Sequence, residues 1–216
     1  APPSAPQINA VEGDDRVNAA EAGNGIQVTG QAEAGATINL LWEGSRTSTT
    51  ANGSGFWSAT FDSAPAQGGT TLRVTATDAG ENTSSTATRD VQVDTLAPAT
   101  PSINTVAGDN NISFAEAANG IQIGGRGEAG STVSVNWAGA VQTTTVNGSG
   151  VWAVTYASAP AQGSSVINVN ATDAAGNASG TESLTVTAST LPPPGAPTIN
   201  AVTADNTVNI AEAAGG

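Results

Sequence analysis

The sequence predicts an all-β fold, built as tandem seven-stranded β-sandwiches in a linear array. Three observations carry that expectation. First, the chain repeats itself: "NGSGFWSATF" from Asn52 returns as "NGSGVWAVTY" from Asn147, "APAQG" occurs at Ala64 and Ala159, and Trp42 matches Trp137, each at an offset of 95. A period of that length fits a whole small domain rather than a solenoid repeat. Second, the hydrophobic period within a unit is two. Ile38, Leu40 and Trp42 share one face, as do Trp57, Ala59 and Phe61, and then Leu72, Val74 and Ala76. Third, Gly, Asn and Ser clusters punctuate these stretches about every 8–12 residues, the spacing of an antiparallel sandwich.

The same reading places the elements of the second unit in order. Strand A starts near Ser102, B near Gly120, C near Ser131, D near Val141, E near Val151, F near Ser165 and G near Thr181. Val133, Val135 and Trp137 face inward from C, Trp152, Val154 and Tyr156 from E, and Ile167, Val169 and Ala171 from F. A Trp on strand C is the core anchor of an immunoglobulin-like sandwich, here without the disulfide it often packs against. No stretch carries a helical stripe, although "AEAGNG" and "AEAANG" could each form one turn before the glycine. Pro-rich joints, "DTLAPATPSIN" and "STLPPPGAPTIN", divide the chain into a first repeat (1–95), a second (96–191) and a linker with the opening of a third (192–216).

Composition removes several function classes. The chain of 216 residues has no Cys, His or Lys, so disulfides, thiolate nucleophiles, Ser-His-Asp triads and Cys- or His-ligated zinc sites are excluded. A formal net charge of −13 disfavours nucleic acid and anionic membranes and favours cations. No apolar run approaches the roughly 18 residues of a membrane span, and the Pro-rich opening "APPSAP" reads as a linker within a longer protein.

The carboxylates follow the repeat. "GDDRVNAAEAGNGI" (Gly13–Ile26) matches "GDNNISFAEAANGI" (Gly108–Ile121) and, at an offset of 96, "ADNTVNIAEAAGG" (Ala204–Gly216). Each copy sets an Asp seven residues before a Glu: Asp14 and Glu21, Asp109 and Glu116, Asp205 and Glu212. Two further pairs are acidic in both complete units, Glu33 with Glu128 in the B–C loop and Asp78 with Asp173 in the F–G loop. Glu43, Asp62, Glu81 and Asp90 fall opposite non-acids and read as solubilising charge. Because strands alternate direction, stacking the units brings Asp14, Asp15 and Glu21 of the first towards Glu128 and Asp173 of the second, with Asp94 in the linker between. Clustered carboxylates repel, and a hard divalent cation such as Ca²⁺, which takes 6–8 oxygen ligands, would relieve them. Two local alternatives stand beside this one. Asp173 can close an Asx-type turn with Asn177 left-handed, and Asp109 can cap a helical turn.

Taken together, "VDTLAPATPSIN", "GEAGSTVSVNW", "NGSGVWAVTY" and "NATDAAGNAS" resemble the bacterial immunoglobulin-like tandem repeats of giant surface adhesins and biofilm-associated proteins. That resemblance implies a non-catalytic structural spacer on or outside the bacterial cell. Its partners would be neighbouring repeats of the same chain and, through the parent protein, a host surface, cell surface or biofilm matrix. With the net charge of −13 and the lack of a long apolar run, the expectation is no nucleic-acid partner, no membrane insertion and a monomeric fragment. The resemblance also implies Ca²⁺ stiffening the joints, with Asp94, Glu128 and Asp173 opposite Asp14 and Glu21. At the second joint Ser189 stands where Asp94 stood, so that site has fewer ligands. The competing reading is of units that themselves bind a glycan or a host protein, for which exposed loop aromatics would be the sign. An enzyme would need a cleft around paired carboxylates, and these acids fall at domain ends.

Overall fold

The computed structural model describes residues 1–159, 161–192, 194–200 and 210–214. The first unit runs β1 (Gln7–Ile8), a tight 3-10 turn at Val11–Gly13, β2 (Arg16–Val17), α1 (Ala19–Asn24), β3 (Ile26–Gln31), β4 (Thr37–Trp42), β5 (Ser45–Thr50), β6 (Phe56–Phe61), β7 (Gly68–Thr77) and β8 (Ala87–Val93). The second repeats it as β9 (Ser102–Ile103), β10 (Asn111–Ser113), α2 (Phe114–Ala118), β11 (Ile121–Arg126), β12 (Thr132–Trp137), β13 (Ala140–Thr145), β14 (Val151–Tyr156), β15 (Gly163–Thr172) and β16 (Glu182–Ser189). Of the third copy, Asp205 lies outside the described residues, and only the turn α3 (Ile210–Ala214) is described.

Each unit is a sandwich of a three-stranded and a five-stranded sheet, ordered β1-β3-β6 over β2-β8-β7-β4-β5 and β9-β11-β14 over β10-β16-β15-β12-β13. Apart from β2–β8 and β10–β16, which run parallel, neighbouring strands are antiparallel. Two separate cores fill the sandwiches, one around Trp42 and Trp57, the other around Trp137 and Trp152. The inward faces are those of the period-two pattern. Trp42 meets Phe61 edge-on with centroids 5.4 Å apart, and Trp137 meets Tyr156 at 5.3 Å. Each strand-C indole N–H finds a hydroxyl, Trp42 Nε1 donating to Thr70 Oγ1 and Trp137 Nε1 to Ser165 Oγ, both at 2.8 Å. Gly30 and Gly125 lie under the rings of Trp57 and Trp152. A Cβ at either would collide with that ring and with the carbonyl of Gln7 or Ser102.

The first strand differs from expectation. It is split, with β1 and β9 in the three-stranded sheets and β2 and β10 crossing to the five-stranded ones. Left-handed residues turn the chain across: Glu12 (φ 50°), Gly13 and Asp15 (φ 64°) in the first unit, Ala107 (φ 52°), Gly108 and Asn110 (φ 64°) in the second. The acidic segment therefore contains a strand, and its Asp and Glu stand on opposite sides of it.

Candidate functional site: the joint between the units

Little of the linker after β8 is loose. The Asp94 N–H donates to the Val17 carbonyl at 2.9 Å, continuing the β2–β8 pairing by one residue. Thr95 is held by Gln67, whose Nε2 donates to Thr95 Oγ1 at 2.6 Å while its Oε1 accepts the Thr95 N–H at 3.2 Å. Downstream, Pro98 and Pro101 are buried. The second linker keeps the glutamine grip, because Gln162 Oε1 accepts the Thr190 N–H at 2.7 Å. This explains the repeated "APAQG": its Gln reaches across to grip the first residue of the joint.

The units meet through Asn177, in the loop between β15 and β16. Its Oδ1 accepts the N–H of Ala19, the first residue of α1 in the other unit, at 2.8 Å. Its Nδ2 donates at 2.8 Å both to the carbonyl of Asp94 in the linker and to Asp173 Oδ2 in its own loop. Asp173 in turn orders the loop, Oδ1 accepting the N–H groups of Ala175 (2.8 Å) and Asn177 (2.9 Å). One amide thus ties together three segments that only the fold brings close. It is 5% exposed, and Ala175 beside it is 8% exposed.

The predicted acids fall into place as follows. Asp94, Glu21 and Asp173 surround this clasp. Glu21 Oε2 accepts the Asn18 N–H at 2.8 Å while Asn18 Oδ1 accepts the Glu21 N–H at 3.0 Å, a reciprocal cap on α1. Glu116 does the same for Ser113 at the start of α2. Asp94 Oδ1 accepts the Leu96 N–H at 3.2 Å. Glu128 and Glu33 are exposed, their backbone carbonyls closing tight turns to Ser131 and Ala36. Asp78 orders the first unit's F–G loop as Asp173 orders the second's. Asp14 and Asp15 lie back along the five-stranded sheet, upstream of β2. Asp14 Oδ1 accepts the Arg16 N–H at 2.9 Å, and Asp15 is bidentate with Arg89. Among the described residues, no three Asp or Glu side chains come close enough to hold a metal ion together.

Both local alternatives need correction. Asp109 does not cap α2. Ser113 does, and Asp109 Oδ1 accepts the Asn111 N–H at 2.8 Å as β10 begins. Asp173 does close an Asx-type turn, but the left-handed residue is Gly176 (φ 94°), not Asn177. The seven-residue Asp–Glu spacing thus has a structural origin, since one acid opens the crossing strand and the other caps the turn after it.

Four of these carboxyls are held below the usual carboxylate range. For Asp15 the cause is chiefly the Arg89 hydrogen bond, against some burial. Burial pushes Asp173 up, but bonds from the Asn177 side chain and from backbone N–H groups outweigh it. Asn82 does this for Asp78, and Ser113 for Glu116.

Sequence reasoning placed Asn177 only in its own turn and missed Gln67. Both belonged to visible repeats, and the signal was their recurrence at Asn82 and Gln162. Arg89, which neutralises Asp15, has Leu184 at its place in the second unit and gave no such signal.

Comparison with known proteins fits this organisation. The family described as bacterial Ig domain matches residues 2–93 and again 97–188. A solved structure described as a Ca²⁺-stabilized adhesin that helps an Antarctic bacterium reach out and bind ice is 31% identical over 98% of this chain, with a TM-score of 0.49, and this chain spans 55% of it. A 1.5-MDa bacterial ice-binding adhesin is 27% identical over 99% of this chain and 74% of its own, with a TM-score of 0.48. The fibronectin(III)-like modules of Clostridium thermocellum CbhA share the fold at 15% identity and a TM-score of 0.51, over 85% of this chain and 94% of theirs. No curated protein matches the chain. With the family pattern covering both repeats, the chain belongs to the bacterial Ig domain family as two tandem copies.

Proposed function

We propose that this chain is a non-catalytic spacer of a bacterial cell-surface adhesin, working outside the cell, whose tandem units (1–95, 96–191 and the opening of a third from 192) hold an adhesive part away from the surface and serve attachment and biofilm formation. The observation that carries this is the Asn177 clasp, which fixes one unit to the next and to the linker between them. A joint that merely tethered would have no reason to bury a side-chain amide. The bacterial Ig domain pattern in both repeats, with 31% sequence identity to a bacterial adhesin, supports the setting.

Ca²⁺ at the joints is the finer part of the proposal. The donors are all hard oxygens, which suits it. At the first joint Asp94 has Oδ2, Glu21 has Oε1 and Glu128 its whole carboxylate without a protein donor among the described residues, and Asp173 Oδ2 accepts a single bond. Asp14 and Asp15 would act from further back. Asp109 and Glu116 would offer the matching half at the second joint, and Glu33 and Asp78 at the upstream end of the first unit. Bound there, Ca²⁺ would crosslink the two units through oxygen. Ligands drawn from both units and the linker would couple the ion to the angle between the units.

Small-angle scattering and melting curves in EGTA and in millimolar Ca²⁺ test this. A longer, stiffer particle with a higher Tm in Ca²⁺, abolished by Asp94→Ala, is the expected result. Unchanged shape and Tm would remove the ion from the mechanism and leave the hydrogen-bonded joint.

A further inference from the structure

The first unit carries the same F–G loop, built bond for bond like the one that makes the joint. Asp78 Oδ1 accepts the N–H groups of Gly80 (2.8 Å) and Asn82 (2.9 Å), and Asn82 Nδ2 donates to Asp78 Oδ2 at 2.9 Å. The corresponding distances around Asp173 are 2.8, 2.9 and 2.8 Å. What differs is exposure. Asn82 and Gly80 are exposed, whereas Asn177 and Ala175 are buried by the neighbouring unit. The loop thus has its geometry before anything docks on it, since Asp78 alone orients the amide. An oriented amide with an acceptor and a donor outward is a receptor for one N–H and one carbonyl.

We propose that the Asp78–Asn82 loop is a docking surface for the downstream end of another repeat like the first unit. Asn82 Oδ1 takes the N–H of that repeat's Ala19 equivalent, and Asn82 Nδ2 takes the carbonyl of its Asp94 equivalent. Glu81 adds a contact that the existing joint lacks. It stands where the second unit has Gly176, and a Cβ at Gly176 would sit 3.5 Å from Asn18 Nδ2, an ordinary van der Waals contact. Glu81 already has the required backbone, with φ 63° against 94° at Gly176. Its carboxylate would reach the amide donor of the incoming Asn18, so a junction with Glu81 gains an acceptor for a group that Gly176 leaves alone. The partner is therefore specified by chemistry: a capped turn with an Asn at its cap, a free N–H after it, and a linker carbonyl in extended chain.

This inference rests on the spacer reading but needs no metal, and the test separates the two. Because the period is 95 without a gap, residues 1–95 can be placed ahead of the intact chain so that Asp94 and Thr95 lead into Ala1 in register. In EGTA, the Ala19 amide of the added copy should exchange with solvent about fivefold or more slowly than in the same chain carrying Asn82→Ala in the middle unit. Ala19→Pro in the added copy is the second variant. Proline is accepted at the first position of a helix and removes only the donor. It should broaden the distribution of particle lengths in scattering as much as Asn82→Ala does. Equal Ala19 exchange with and without Asn82 would overturn the proposal, and so would a length distribution indifferent to both variants. Stiffening by Ca²⁺ with no dependence on Asn82 would leave the spacer reading standing and sink this one.

Discussion

Asn177 accepts the backbone N–H of Ala19 across 158 residues of chain, at 2.8 Å. Its environment is what makes that bond matter. Asn177 is buried while Ala19 is exposed and Asp94 half-buried, so losing the amide would cost two part-buried bonds whose backbone partners water could then reach. Asp173 holds the amide in orientation from behind, which limits the entropy cost of docking. The joint is a small polar network with each member engaged, the arrangement that gives orientation rather than bulk adhesion.

Replacing Asn177 by Ala should therefore act on the joint more than on either sandwich. About 0.5–1.5 kcal/mol of inter-unit coupling is expected to go for each lost bond, the net worth of part-buried hydrogen bonds. Scattering should show a broader spread of end-to-end lengths, and the Ala19 amide should lose protection. The second unit's melting should move little, because the Asp173 turn keeps its backbone bonds to Ala175 and Asn177. A large fall in Tm without added flexibility would mean the residue serves its own loop instead.

Gln67 tests the other end of the linker. Its two bonds to Thr95 are exposed, so Gln67→Ala should cost no more than about 0.5–1 kcal/mol. Its effect should appear as faster exchange at Thr95 and wider inter-unit angles, with the first unit's Tm within about a degree of the parent. Gln162→Ala should do the same to Thr190 at the second joint, where Ser189 replaces the acid. Matching effects at both joints would show that the grip does not depend on a carboxylate.

Much of this fold was legible because burial in a sandwich imposes a period of two, and Trp42, Trp57, Val74 and their copies obey it on every inward face. The split first strand was not legible. Its pieces are two or three residues long, too short for a period, and the crossing is set by left-handed backbone at Glu12 and Asp15 rather than by a hydrophobic pattern. The joint was half legible. Repetition found the right loops and singled out Asp173. Asn177, however, reads from sequence only as a turn residue, because it is neutral and its role in the joint appears only when two units meet. The cap was visible in principle, since Ser113 and Glu116 have the spacing of a capping box.

Glu12 and Ala107 occupy one position in the two units, with φ of 50° and 52°, and differ in what they do there. Glu12 Oε1 accepts the Gln27 N–H at 2.8 Å, bridging the crossing turn to the start of β3. In the second unit Ala107 leaves a pocket lined by Thr105, Glu116, Gly120 and Gln122. Glu12→Ala should lower the first unit's stability by about 0.5–1.5 kcal/mol, and Ala107→Glu should raise the second's by a smaller amount, offset by repulsion from Glu116. Denaturant melts of the single variants, read through the two units' separate transitions, check the pair. Opposite signs are the expected outcome, and a shared sign would mean the bond to strand B does not stabilise the turn.

Acid should weaken the protein in a defined window. The carboxyls of Asp15 and Asp173 titrate below their ordinary range in the folded state. The unfolded chain then binds more protons over the interval between the two values, so stability rises with pH there. Their contribution is full above the ordinary Asp value, near pH 4, and is lost as pH falls through the depressed folded values. Calorimetric Tm should thus change little from pH 7 to 5 and fall below about pH 4. Asp15→Asn isolates one group from the general loss of negative charge. It removes the carboxylate that Arg89 holds, so the first unit's Tm should drop at neutral pH and its acid slope should flatten. Both side chains of that ion pair are about a third exposed or less, at 33% and 27%, so solvent screening keeps the effect modest. Asp173→Asn should flatten the second unit's slope, and at pH 7 it should already show the looser joint expected of the wild type once acid protonates Asp173. An acid slope unchanged in both variants would mean that neither carboxyl titrates low in the folded protein, and that Asn177 is oriented by its backbone alone.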